Sequence, residues 1–407
     1  MKILVHLVLY SCFIFKNTLA NVASNNTNQL DIFNIINGLV PTLPQWTPKM
    51  DQLLRLPMQA LFALPEVSIG QAINQICEIY NFIKYSYEMI SYVFMMFTGS
   101  IYLTYGEVRP RIIPDITKIT FKLLTPCQNE SFPLLEADQI LESSNFNMSK
   151  KLVVFVRGWK SSTGESVETL RKAFHCRDEH NFVFLDSANY IDTLYSWSAL
   201  NTEAIGEYVA LGLTKLLDKY PVENIHLIGH SLGAHIVGYA GRYFSQYTNQ
   251  TINHITGLDP ANPCFNEGEV LYGIQRRDAD FIDIIHSNPG ALGKKEPIGD
   301  ADFYPEGLAP IKPGCYSLGC SHSRSWMYYA ESVYPLNEYN FMGTRCNSLK
   351  KKEDGFCNGS SYPMGLAVPF FLRGNYFFSV NKVEPFGKNA TDDAQTPLGN
   401  CGSCPGL

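Results

Sequence analysis

The stretch Asn224-Ile225-His226-Leu227-Ile228-Gly229-His230-Ser231-Leu232-Gly233-Ala234-His235 constrains the fold more than any other part of the chain. The apolar run from Ile225 to Ile228 is strand-like, and the segment from Ala234 through Phe244 has a helical period. Between them, Gly229-His230-Ser231-Leu232-Gly233 is a G-x-S-x-G corner in a strand–turn–helix context. Small residues two before and two after the serine are required because the backbone turns too sharply to leave room for larger side chains. The corner lifts Ser231 Oγ clear of the strand end at a helix N-terminus, whose dipole favours nearby negative charge. The pentapeptide alone also suits a glycine-rich loop with a capping serine; the flanking strand and helix make Ser231 a candidate nucleophile.

The surrounding chain alternates strands with helices. Residues 116–123 alternate apolar and polar as a half-exposed strand does, and Lys151 to Val156 is a continuous apolar run that suits a strand buried on both faces. Ser166 to Phe174 is helix-like, Phe182 to Leu185 is a further buried strand, and Thr202 to Leu217 is an amphipathic helix leading into the corner. Such an order predicts an α/β fold with a mostly parallel central sheet and helices on both faces. Hydrophobic residues make up 45% of the chain and charged ones 17%, as in well-packed globular proteins. A net charge of −6 and the lack of a basic stripe argue against a nucleic-acid partner.

Residues 1–20 have the form of a secretory signal peptide: Lys2, an apolar run from Ile3 to Phe15, then Thr18-Leu19-Ala20 as a cleavage site. Export predicts a disulfide-permissive compartment. Of 11 cysteines, Cys12 leaves with the signal, and the ten that remain are an even number. N-x-[S/T] sequons at Asn25, Asn129, Asn147, Asn249, Asn358 and Asn389 agree with a secreted surface. Residues 21–113 then form an extension unlike the rest, broken by prolines and followed by an apolar, mainly helical stretch at 73–105. We expect that stretch to pack on the main domain, with an interfacial lipid-binding helix and a membrane span as alternatives, and Cys77 as a possible tie. The main domain is expected at 114–407.

A serine hydroxyl is a poor nucleophile until a base takes its proton and an acid holds that base in the right tautomer. On an α/β-hydrolase sheet these residues follow in the order Ser, Asp or Glu, His. Downstream of Ser231, Gly257-Leu258-Asp259-Pro260-Ala261 places Asp259 at the end of the next apolar strand. Further on, Cys320-Ser321-His322-Ser323-Arg324-Ser325 offers His322, expected in a loop. His286 is the rival base, although it ends a strand pattern and suits a structural role better.

The segments Gly229 to His235, Gly257 to Ala261, Asp302-Phe303-Tyr304-Pro305 and Cys320 to Ser325 follow the order and rough spacing of the animal pancreatic-lipase family. The resemblance runs from about Ile116 to Phe386, and is nearest to the insect branch of secreted lipases, venom phospholipases A1 and yolk proteins. It implies an α/β-hydrolase fold, a triad of Ser231, Asp259 and His322, and an oxyanion hole from the backbone N–H groups of Trp159 and Leu232. It also implies a Cys315–Cys320 bridge around a lid shortened to Tyr316-Ser317-Leu318-Gly319, and a short flank at 287–299. Family members with truncated lids act on phospholipids or broadly. The chain departs from the family in having Arg157-Gly158-Trp159 where a histidine usually precedes the glycine. At the calcium position of some members Gln275 stands beside Asp278, so no metal or cofactor is expected. No room is left after Phe386 for the sandwich domain that binds colipase, so no colipase is expected. The resemblance therefore implies a secreted lipid-ester hydrolase of phospholipase A1 type acting at a lipid–water interface. A triacylglycerol or galactolipid lipase is the alternative, and a non-catalytic yolk-type carrier is the alternative of another class.

Overall fold

The computed structural model describes residues 114–404, apart from 160–163, 188–189, 193–194, 266–270, 348 and 350–356. The expected signal peptide, the extension at 21–113, Cys77 and the sequon at Asn25 lie outside the described residues. The strands are β1 (Thr120–Leu124), β2 (Asn129–Pro133), β3 (Lys151–Val156), β4 (His180–Asp186), β5 (Ile225–His230), β6 (His254–Leu258), β7 (Phe281–Ile285), β8 (Ala301–Pro305), β9 (Met342–Cys346), β10 (Ser361–Pro363) and β11 (Gly374–Phe378). The α-helices among the described residues are α1 (Glu165–Arg177), α2 (Tyr195–Thr214), α3 (Leu232–Thr248) and α4 (Leu318–Val333).

All eleven described strands form one sheet in the order β10-β9-β11-β8-β7-β6-β5-β3-β4-β1-β2. From β4 to β11 across its middle every neighbouring pair is parallel, while β1, β2, β9 and β10 pair antiparallel at the two edges. The α/β prediction therefore holds, and the fully buried central strands explain why their sequences run apolar without alternation. Successive residues of β5 face opposite sides. Ile228 joins a core with Leu170 and Phe174 of α1 and Tyr329 and Val333 of α4, whereas Gly229 faces the start of α3. Helices α2 and α3 pack closely on each other, since a Cβ on Gly206 of α2 would stand 2.4 Å from Tyr239 Cβ of α3.

Two local expectations change. The first three residues of the segment 116–123 form a 3-10 turn, because Asp115 caps it by accepting from the Thr117 N–H at 3.1 Å; the strand begins only at Thr120. Helix α2 starts at Tyr195 and ends at Thr214, seven residues earlier and three residues earlier than the period alone placed it. Helix α1 stops at Asp178, whose left-handed conformation (φ 59°) lets its N–H reach Phe174 O.

Four disulfides are present among the described residues: Cys127–Cys404, Cys176–Cys401, Cys315–Cys320 and Cys346–Cys357. The first two close loops of 277 and 225 residues and fasten the tail to the turn after β1 and to α1. The five sequon asparagines among the described residues are all exposed. No described helix is long and apolar enough to cross a membrane.

The contact between α3 and the end of β3 fixes the sheet against its central helix. A Cβ on Gly233 would lie 2.1 Å from Val156 O and 2.6 Å from Arg157 O, both backbone atoms that cannot turn aside. Gly233→Ala is therefore expected to lower unfolding free energy by about 1–3 kcal/mol, measured by denaturant titration. Gly319→Ala, with nothing within 4 Å of its new methyl group, is the matched control and should not destabilise. Equal midpoints for the two variants would contradict the packing account.

Candidate active site

Ser231 sits between β5 and α3 with φ 56° and ψ −120°, a conformation that L-residues avoid. The strain is held from both sides. Ser231 N–H donates to Leu258 O at 3.0 Å, and Ser231 O accepts from Ala261 N–H at 3.2 Å. These two partners flank Asp259, so the elbow and the carboxylate are built as one unit. Asp259 is itself buried, with φ 45°, directly after β6, and its N–H donates to Ile285 O of β7 at 2.8 Å.

His322 lies in α4, not in a loop as expected. Ser317 caps the helix by accepting from Cys320 N–H at 3.2 Å, and the Cys315–Cys320 bridge closes just before the histidine. Leu318 and Gly319 are thus helical, which shortens the loop further. The His322 ring nitrogen Nδ1 meets Asp259 Oδ2 at 2.5 Å, a geometry in which Nδ1–H donates to the carboxylate and leaves Nε2 to act as base. The serine hydroxyl makes no hydrogen bond to His322 among the described residues. Catalytic hydrogen bonds of this kind commonly tighten only around the substrate.

The carbonyl of His322 is gathered by three side chains: Ser325 Oγ at 2.9 Å, Ser287 Oγ at 3.2 Å and His230 Nε2 at 3.3 Å. The His230 ring lies 4.6 Å from the His322 ring, centroid to centroid. Burial, and secondly the charge of His322, hold His230 well below the ordinary histidine range, so it stays neutral beside the ring that must become cationic. His286 does not compete as a base. Its Nδ1 is taken by Lys294 O at 2.7 Å and its Nε2 by Asp302 Oδ1 at 2.9 Å, in a fully buried stack on Tyr304.

The expected oxyanion donors lie on either side of the elbow. Leu232 is the first residue of α3, where N–H groups have no intrahelical partner. Trp159 follows Gly158, and a Cβ on Gly158 would stand 2.6 Å from Ser231 Cβ, so that peptide lies against the serine. Together these groups form an arrangement suited to acyl transfer: a strained serine, an imidazole paired to a buried acid, and backbone donors beside them.

Sequence reasoning missed the supports of Asp259. Asn288 N–H donates to Asp259 Oδ1 at 2.9 Å, and its side chain holds its own loop by accepting from Leu292 N–H at 2.7 Å. Gly293 presses its backbone on the same carboxylate, where a Cβ would be 2.3 Å from Oδ1. The flank at 287–299, read as a pocket wall, therefore also seats the acid. Nothing in the pattern of those residues announces this. Lys312 is a second surprise: it is buried, its ammonium donates to Ala309 O at 2.7 Å, and burial lowers its pKa to about 8 while Asp259 opposes the shift.

The calcium position does not fit a metal. Both carboxylate oxygens of Asp278 accept from Arg242, through Nε and Nη2 at 3.0 Å, and Oδ2 also accepts from Gln275 N–H at 2.9 Å. Burial raises Asp278 to about 6 against the pull of Arg242, whose guanidinium occupies both oxygens of the carboxylate.

The model of the family described as Lipase matches residues 107–371. Vitellogenin-3 of Drosophila melanogaster is 34% identical over 258 residues, covering 63% of this chain and 58% of that one. Lipoprotein lipase of Bos taurus is 37% identical over 243 residues (52% and 49%), and pancreatic lipase-related protein 2 of Rattus norvegicus is 31% identical over 276 residues (60% and 57%). The chain thus spans between about half and three fifths of the length of these relatives.

His235, in the first turn of α3, fastens the segment after Asp259. Its Nε2 donates to Ala261 O at 2.8 Å, its Nδ1 accepts from Ile274 N–H at 3.1 Å, and its ring stacks on Phe265 at 3.6 Å. One nitrogen donating and one accepting fits only the neutral ring. Burial lowers His235 from 6.5 to about 3 and His180 from 6.5 to about 4. Both folded-state values lie below the unfolded one, so the stability these neutral rings contribute is complete above about pH 6.5 and drains away as the unfolded chain takes up protons. Between pH 6 and 4 each ring should remove roughly 1 kcal/mol per pH unit, His180 less as the pH nears 4, and His235→Gln should flatten the slope by roughly one ring's share. Denaturation curves across that range test this, and a slope unaltered in His235→Gln would contradict it.

Proposed function

This chain belongs to the lipase family, and from that premise we propose that it is a secreted hydrolase of lipid esters working through an acyl-enzyme. One observation carries the reading: a 2.5 Å bond between His322 and a buried Asp259, built into the same backbone unit as the strained Ser231. In this scheme His322 Nε2 takes the proton of Ser231 Oγ as the oxygen attacks the ester carbonyl. Asp259 stabilises the imidazolium, and neutral His230 avoids adding a second positive charge beside it. The N–H groups of Leu232 and Trp159 receive the oxyanion, a role typically worth about 3 kcal/mol for a single donor. His322 then protonates the departing alcohol, and water repeats the attack on the acyl-enzyme.

The finer proposal is phospholipase A1 activity at a lipid–water interface. It rests on the five-residue spacing of the Cys315–Cys320 bridge, and on α4 starting inside that bridge, which leaves Tyr316 almost fully exposed and the segment between the two cysteines too short to cover His322. We place the catalytic domain at 114–407 after a signal peptide at 1–20 and an extension at 21–113. Secretion is supported by four disulfides among the described residues, two of which close very long loops, and by five exposed sequon asparagines there.

A carrier or storage role is the second reading, favoured by the likeness to Vitellogenin-3. Against it stand Ser231 itself and the strained backbone that presents it, because a carrier has no use for either. A panel of phosphatidylcholine, triacylglycerol, galactolipid and short nitrophenyl esters separates the readings. The wild type should release the sn-1 fatty acid of phosphatidylcholine, and Ser231→Ala should lower kcat by a factor on the order of 10⁴–10⁶. Release from triacylglycerol alone would overturn the finer proposal. No release from any ester would overturn the enzymatic reading.

A further inference from the structure

We propose that Arg157 is a positioning residue of the oxyanion hole: held by Asp192, its guanidinium fixes the Gly158–Trp159 peptide beside Ser231. The inference rests on Ser231 as nucleophile and Trp159 N–H as an oxyanion donor. Arg157 immediately follows β3, and its two terminal nitrogens grip both oxygens of Asp192, Nη1 to Oδ1 at 2.8 Å and Nη2 to Oδ2 more closely still. Both side chains are largely shielded, with 16% and 25% of their surface exposed, so the pair is not a loose surface contact. The same Nη1 also donates to Gly158 O at 3.4 Å.

That carbonyl belongs to the peptide unit whose N–H is Trp159's. A peptide is planar and trans, so its oxygen and its N–H point to opposite sides, and holding one aims the other. A cation beside the oxygen also polarises the unit and strengthens the N–H as a donor. At 3.4 Å the bond is long, and alone it would hold little. The bidentate clamp on Asp192 keeps the guanidinium there nonetheless, since a planar fork gripped at two points cannot swing away. The Gly158 backbone also lies close against the serine, since a Cβ there would stand 2.6 Å from Ser231 Cβ. An imidazole, usual at this position among the relatives the sequence resembles, has no fork to bridge a carboxylate and a carbonyl. This chain therefore sets the same peptide by another device.

The test uses a soluble nitrophenyl ester, so that interface binding does not intrude, and an alkyl boronic acid, whose adduct on a serine places an oxygen in the oxyanion hole. Arg157→Met is expected to lower kcat by about 10- to 100-fold with KM within about twofold, a fraction of the loss seen when an oxyanion donor is removed outright. Boronate affinity should fall in parallel with kcat. Arg157→Lys, with charge but no fork, should recover only part of both, and Asp192→Asn should lower both in the same direction by less. Thermal midpoints separate this from unfolding, and if Arg157→Met does not fold, Asp192→Asn decides. Unchanged kcat in a folded variant overturns the proposal, as does a fall in kcat with boronate affinity intact. An inactive wild type would instead remove the reading of the site on which the proposal rests.

Discussion

Three glycines set how closely the end of β3, the elbow and the start of α3 approach one another, and the site depends on that closeness. Gly229 meets the backbone of Gly233 at 2.2 Å from its would-be Cβ, Gly233 meets Val156 O at 2.1 Å, and Gly158 meets Ser231 Cβ at 2.6 Å. Each contact is with backbone or with the serine itself, so none could yield to a methyl group without moving the site. The gap they leave brings the first N–H groups of α3 and the Gly158–Trp159 peptide to the same side chain. It also forces Ser231 to φ 56°, a strain that the hydrogen bonds to Leu258 and Ala261 hold in place.

The charge arrangement follows from burial. Asp259 and His322 face each other where water has little access, and the neighbouring histidines His230 and His235 are kept neutral by the same burial. A second cation next to His322 would oppose the imidazolium that acyl transfer needs. His230 and the serines Ser287 and Ser325 instead grip the His322 carbonyl, fixing the helix turn that carries the base. Asn288 and Gly293 do the corresponding work for the acid.

Much of this was legible in the residues, for physical reasons. The G-x-S-x-G corner signals itself because only glycine fits where Gly229 and Gly233 stand, and the parallel sheet signals itself because β3, β5 and β6 are buried on both faces. Asp259 and His322 could be picked by chain order. The position of His322 in α4 could not, because a short disulfide and a Gly beside it look like a loop until Ser317 is seen capping the helix. Asn288 and Gly293 stayed invisible, since contacts between segments dozens of residues apart leave no period in the sequence. Arg157 looked like a departure from a family pattern; its partner Asp192 lies 35 residues away, outside the reach of any local pattern.

The central claim is that Ser231 is the nucleophile of a lipid-ester hydrolase. It is tested most directly by incubating the protein with a phosphonate ester carrying a long alkyl chain and locating the adduct by mass spectrometry. The account predicts a single modification, on the peptide containing Ser231, formed slowly or not at all in Asp259→Asn. An adduct on another residue, or none on the folded wild-type protein, would contradict it.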